Sequence, residues 1–485
     1  MKNLAFILLV IILSSYSQYS QVVSGETQEC LDCHSSVTPG IVGDWQRSLH
    51  SKSTIYEALN KNELERRISI DTSSELASSQ STIGCFECHS LNTIDHKDSF
   101  EHFGYQINVV VSPNDCRKCH PIEVDEYKVS KKANAHDNLS KNKLFTTLVN
   151  TITSNKTYQN EELIFHGQND LASGETCYAC HGTVIGVKGL TKIETDFGEI
   201  EVPELTNWPN QGVGRINPDG SNGACTSCHP RHSFSLEVAR KPYTCAQCHL
   251  EPDVPAYNVY KESKHGNIFS SIEKEMNFTA VPWKVGKDIT VPTCATCHNS
   301  LLVNNDGNII AERTHDFGSR LWVRIFGLPY SHPQPKSGKT YEIKNSDGLQ
   351  LPVNFIGELS TDYLLDKFDQ ADRMDKITSV CKTCHGTSWT EKQIAKIEKV
   401  NADADAMVLA STKILVEGWN NGVANNNNPF DENLEFLWQS QWLFYANSIR
   451  YSTAMMGPDY AGFKNGWFNM THNLQKMKEL IKKEQ

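Results

Sequence analysis

A Cys-x-x-Cys-His run recurs eight times in the 485 residues, with first cysteines at positions 30, 85, 116, 177, 225, 245, 294 and 381. Together the runs use all sixteen cysteines. In such a run the two thiols form thioethers to the vinyl groups of a porphyrin, and the adjacent histidine falls under the ring as the proximal iron ligand. Zinc ribbons and disulfide frameworks also contain CxxC pairs, yet neither requires a histidine after every pair. The inventory therefore implies eight covalently bound c-type haems. Their attachment residues are Cys30, Cys33 and His34; Cys85, Cys88 and His89; Cys116, Cys119 and His120; Cys177, Cys180 and His181; Cys225, Cys228 and His229; Cys245, Cys248 and His249; Cys294, Cys297 and His298; and Cys381, Cys384 and His385.

About sixty residues per haem leaves little chain for an ordinary apolar core, so porphyrin must fill much of it. The expected fold is mainly α, with irregular chain and short helices around the haems over residues 25–389 and few strands. From Thr390 to Gly418 apolar residues recur at helical spacing, and two further helices are expected at Asp431–Met456 and Asn465–Lys483. These form a haem-free C-terminal three-helix domain over 390–485. The second helix carries Phe436, Trp438, Trp442, Phe444 and Tyr445, a surplus that serves either internal packing or contact with another subunit. Gly182–Gly223, rich in Gly, Pro and Asn, reads as loop, with a short apolar and polar alternation at Thr191–Val202. Residues 328–353 read as a second excursion, with a hairpin around Ser346-Asp347-Gly348.

The first 24 residues carry a lysine, an apolar run from Leu4 to Leu13 and small residues at Val22 and Ser24, the pattern of a secretory signal peptide cut after Ser24. A run of about ten apolar residues is half what a membrane span needs. The expectation is an exported protein of the periplasm or an equivalent lumen, soluble once the leader is removed. A formal charge of −11 argues against nucleic-acid binding.

Eighteen histidines less the eight proximal ones leave ten: His50, His96, His102, His136, His166, His232, His265, His315, His332 and His472. Ten suffice to cap every haem, so counting alone reveals no open iron. His472, on the last helix far from any motif, reads as an ordinary helix residue.

The run from Cys225 to Gly266, with RH after the fifth motif, RKP before the sixth and SKHG after it, resembles the octahaem hydroxylamine oxidoreductase family. So does the Gly466-Trp467 pair near the C-terminus. The likeness covers nearly the whole mature chain. It implies a homotrimer with one five-coordinate catalytic haem at the fourth motif, here Cys177, Cys180 and His181, fed by seven bis-histidine haems. It also implies distal ligands at His50, His102, His136, His232, His265 and His315. For the seventh, His166 is preferred over His96 and His332.

Two departures bear on function. In the oxidative members an Asp-His pair follows the sixth motif; here Asp253 is followed by Val254. Those members also carry a tyrosine, four residues before the Trp, that crosslinks to a neighbouring subunit's catalytic haem; here that position is Phe463, with Tyr460 three residues away. Members without the crosslink act reductively. The resemblance thus implies a nitrite reductase with Asp253 as proton donor, acting on small inorganic nitrogen compounds (nitrite, nitric oxide, hydroxylamine), with a redox partner such as a small c-type cytochrome. Two other readings stay open: oxidation of hydroxylamine or hydrazine, if Tyr460 supplies the crosslink, and an electron conduit with no catalytic haem.

Overall fold

The computed structural model describes residues 22–325, 327–330 and 334–483. The expected leader up to residue 21, and His332, lie outside them. The fold is mainly α: many short helices in the motif-bearing part, long ones at the C-terminus, and a few two- or three-stranded sheets. No described helix is long and apolar enough to cross a membrane.

Each motif is wound as a helical turn, the first within the helix Gly25–Val37 and the eighth at the end of Lys367–Lys382. Cys85–His89, Cys177–His181 and Cys294–His298 are five-residue helices. In the third, fifth, sixth and eighth motifs the histidine amide donates to the carbonyl of the first cysteine at 2.9 to 3.0 Å. A helical turn sets residues i, i+3 and i+4 on one face, so both thiols and the imidazole point the same way, as one porphyrin requires. Because only a turn is needed, the chain between motifs is free to be irregular.

The C-terminal region is built differently. Thr387–Asn420 buries Ile397, Asn401, Ala404, Val408, Ser411, Thr412, Leu415 and Gly418, one stripe at three- and four-residue spacing. Gly418 is required for close approach: a Cβ there would fall 2.2 Å from Leu434. Asn421 caps the helix and Gly422, at φ +75°, turns the chain away. The expected second helix is interrupted: Asn433–Gln439, a wider π-helical stretch at Ser440–Tyr445, then Ala446–Met455, ended by Met456 in the left-handed conformation. Trp438 and Trp442 are fully buried against Phe430, Leu434, Met470 and Met477 of the same chain. Most of the aromatic surplus is therefore used in the chain's own core. The last helix, Trp467–Lys483, closes that core with Met470, Met477 and Ile481.

Two loop expectations change. The alternation at Thr191–Val202 is part of a longer antiparallel hairpin, Gly186–Thr195 with Gly198–Thr206, pairing Thr191 with Val202. Conversely, no hairpin forms around Ser346-Asp347-Gly348. There the Asn345 side chain accepts from the amides of Asp347 and Leu349, making a side-chain-stabilised turn whose flanks do not pair with each other as strands.

Trp438 also donates its indole N–H to Thr412 at 2.9 Å. Trp438→Ala is expected to lower stability by about 3–5 kcal/mol, read as a shift in the denaturant midpoint of the helical circular dichroism; a loss below about 1 kcal/mol would show that the core closes over the gap.

Candidate haem and substrate site

Two imidazoles that share one iron, each with nitrogen about 2 Å from the metal, have ring centres about 6.3 Å apart. Among the described residues, three pairs match that spacing. His34 and His102 are 6.2 Å apart, His50 and His120 6.3 Å, and His265 and His385 6.1 Å. Each pair joins a motif histidine to one of the spare ones. His232 and His89 are within electrostatic reach of each other, as are His315 and His229.

Hydrogen bonding at the second ring nitrogen fits the same task. His89 Nδ1 bonds to the Asn108 carbonyl at 2.7 Å, His181 Nδ1 to the Ala135 carbonyl at 3.2 Å, and His34 Nδ1 to the Thr38 hydroxyl at 2.9 Å. A carbonyl at Nδ1 fixes the proton there and leaves the Nε2 lone pair for iron. Burial pushes His50, His229 and His298 down to about 4, and burial together with the Lys132 charge pushes His249 down to about 3. These rings are neutral near pH 7, as metal ligands must be. The residues present fit covalently attached haem.

The motifs form a connected set. The sulfurs of Cys30 and Cys85, Cys116 and Cys225, Cys180 and Cys248, and Cys245 and Cys294 lie close together across motifs. Cys297 lies near Cys381 and Cys384. The sixth motif thus touches both the fourth and the seventh.

Three of the spare histidines do not stand over a motif. His166, the preferred seventh ligand, lies at the exposed end of the Lys156–Gln159 and Glu162–Phe165 hairpin, its Nε2 bonded to the Thr157 hydroxyl at 2.6 Å. That occupies the atom a ligand would offer. His96 is buried between Asp98 at 2.9 Å and Asp115 at 3.2 Å, with Asp219 at 3.9 Å. Burial opposes its charge, but the hydrogen bonds to Asp115 and Asp98 prevail and raise it to about 10. It is a buried imidazolium tying three segments together, which no local signal disclosed. His472 is on the last helix, stacked on Phe468.

At the fourth motif the proximal side is closely packed. Ala135 sits behind His181, because Nδ1 of a proximal ring points away from the iron. His136 follows Ala135 in sequence, and its ring lies 5.3 Å from Tyr178. The Gly-rich loop, given no role from sequence, completes this wall: Val213 N donates to Cys180 O at 2.9 Å and Gly214 N to His181 O at 3.2 Å. A Cβ on Gly182, Gly212 or Gly214 would fall 2.2 to 2.6 Å from neighbouring backbone.

Asp253 is within electrostatic reach of Cys177, Cys180 and His181. Burial raises its pKa above the usual carboxylate value; bonds from its own amide and that of Val254 and the charge of His181 act against this. Its segment is gripped from the C-terminal helices. Asn447 Nδ2 donates to the Asp253 carbonyl at 3.1 Å, and Tyr460 donates to Glu251 at 2.7 Å. Tyr451, whose phenol burial holds protonated, feels the Asp253 charge. Arg450, fully buried and paired with Asp405, bonds to Asn447 Oδ1 at 3.3 Å. Asn447, Arg450 and Tyr451 were not foreseen, since they lie on a helix some 200 residues from Asp253. Tyr460 is fully buried and engaged, so it is not free to crosslink, whereas Phe463 is 74% exposed and packs on Phe468.

Residues 216–317 match the family described as seven times multi-haem cytochrome CxxCH, and residues 29–104 and 115–202 that of cytochrome c554 and c-prime. A solved structure described as a hypothetical multiheme protein is 40% identical, covers 95% of this chain and 96% of its own, and superposes with a TM-score of 0.89. A reducing HAO-like protein complex of Kuenenia stuttgartiensis shares the fold, with a TM-score of 0.59 at 17% identity over 95% of this chain and 85% of that one. The chain is also 24% identical over 384 residues to a probable nitrite reductase-hydroxylamine oxidoreductase fusion protein of Kuenenia stuttgartiensis. That match takes in 76% of this chain and 35% of the relative, so the chain spans about a third of that protein's length.

Alanine at His50, His102 or His265 is expected to convert one low-spin haem to high spin in each case, read by electron paramagnetic resonance. Alanine at His166 or His472 should leave the spectrum unchanged. A high-spin signal from His166→Ala would show that the hairpin closes onto a haem.

Proposed function

The chain belongs to the hydroxylamine oxidoreductase-like multihaem cytochromes c, and from that membership and the site we propose that it reduces nitrite to nitric oxide at the fourth of eight haems. The observation that carries the reading is the half-buried Asp253 carboxyl within electrostatic reach of Cys177, Cys180 and His181. A haem held by those three residues would supply the electron. Nitrite then takes up one electron and two protons and leaves as nitric oxide and water. Asp253 gives the first proton to the departing nitrite oxygen, because burial keeps its carboxyl protonated at higher pH than an exposed acid. Asn447 and Tyr460 hold the segment on which it stands.

Two absences relative to the oxidative members support the reductive direction. Phe463 has no phenol to bond a neighbouring haem, and Tyr460 gives its hydroxyl to Glu251. Val254 leaves Asp253 as the principal donor, which slows later proton-coupled steps toward hydroxylamine or ammonium more than the first loss of water. A small c-type cytochrome fits as electron donor. The exposed Phe463 and Phe468 fit a contact between copies in a homotrimer held without a covalent link.

Asp253→Asn is expected to keep its haem absorption while nitrite reduction falls about 10²–10⁴-fold. In the native protein the rate should fall as pH rises through the elevated Asp253 value, since the proton to be donated is then lost, and the variant should lack that limb. Unchanged nitrite turnover in the variant, or rapid hydroxylamine oxidation by the native protein, would overturn the reading. On a denaturing gel the subunits should run as haem-bearing monomers; a trimer that survives denaturation would reveal a covalent bridge.

A further inference from the structure

Lys132 Nζ lies 3.5 Å from His249 Nε2. Nε2 is the atom by which the histidine of a CxxCH motif holds its iron, so when the sixth motif carries haem it cannot also accept a hydrogen bond. The separation is longer than a working N–H bond, about 2.7 to 3.2 Å. It is close to the roughly 4 Å spanned by two nitrogens on opposite sides of one metal, each about 2 Å away. The three imidazole pairs have the ring-centre spacing that such a gap gives.

The surroundings agree. Lys132 is half-buried, its Nζ 5.0 Å over the Phe317 ring, and among the described residues no carboxylate pairs with it. Its charge instead acts on His181, His249 and His298 and on the thiols of Cys228, Cys245 and Cys248. With imidazoles and no acid beside it, the Lys132 nitrogen has no anion to pair with, and once deprotonated it offers a lone pair to a metal. Among the described residues, the histidines that reach His249 are His181 and His298, both of which belong to motifs of their own.

We propose that Lys132 is the distal axial ligand of the haem held by Cys245, Cys248 and His249, in place of a histidine. On ligation the ammonium releases its proton to solvent and its lone pair bonds the iron. Because the sixth motif touches the fourth and the seventh, this amine-ligated haem stands where electrons pass to the fourth motif, with a potential set apart from its bis-imidazole neighbours.

The test uses the haem-loaded protein, with haem content fixed by pyridine haemochrome, and reads spin state by electron paramagnetic resonance and ligand type by near-infrared magnetic circular dichroism. The native protein should show one low-spin haem with an amine and imidazole charge-transfer band, and a single high-spin haem. Lys132→Ala and Lys132→Arg should each raise the high-spin content from one haem to two, and Lys132→His should return it to one without the amine band. Arginine keeps the charge but offers no lone pair, so a merely electrostatic lysine would leave Lys132→Arg like the native protein. That outcome, a native spectrum without the amine band, or two high-spin haems in the native protein would each overturn the assignment. Nitrite turnover is not part of the readout, so failure here leaves the role of the fourth motif standing.

Discussion

On the proposed coordination, the motif-bearing part of this fold answers to a gap of about 4 Å between two nitrogens, into which an iron and the plane of a porphyrin must fit. One side of each gap is local: a helical turn that aims two thiols and an imidazole together. The other side comes from distant chain, and it is this pairing, repeated along the molecule, that replaces an ordinary core in the motif-bearing part. His34 needs His102, His120 needs His50 and His385 needs His265. The hairpin Ser99–His102 with Tyr105–Asn108 shows how short elements serve this demand. It ends on His102, and it presents the Asn108 carbonyl to His89.

The C-terminal helices obey the other rule, burial of apolar area, and the two regimes meet at Asp253. Trp438 and Trp442 anchor a dry core. One and two turns further along, Asn447 and Tyr451 face the segment after the sixth motif, and Arg450 bonds to Asn447 Oδ1. A rigid, well-packed helix thereby fixes the position of an acid that belongs to an irregular loop. This is how a chain with little regular structure around its motifs holds a proton donor in place.

The motifs were legible in the sequence because each is complete within five residues, and the C-terminal helices because their period is local. The cofactor partners were less so, since apposition across the chain leaves no mark in spacing. His96 was indistinguishable from a ligand until Asp98, Asp115 and Asp219 converged on it. His166 was favoured by its nearness to Cys177 in sequence, yet its hairpin carries it into solvent. Lys132, here proposed as a ligand, was not considered because only histidines were counted as ligands. The Gly182–Gly223 stretch read as plain loop, although its glycines are what allow backbone to press against the fourth motif.

The most direct measurement is a crystal structure of the haem-loaded protein with nitrite. The prediction is nitrite on the iron opposite His181, with a carboxylate oxygen of Asp253 within hydrogen-bonding distance of a nitrite oxygen and Phe463 bonded to no haem. A histidine found on the distal face of that haem, or nitrite bound elsewhere with Asp253 turned away, would contradict the assignment of the fourth motif as the site of reduction.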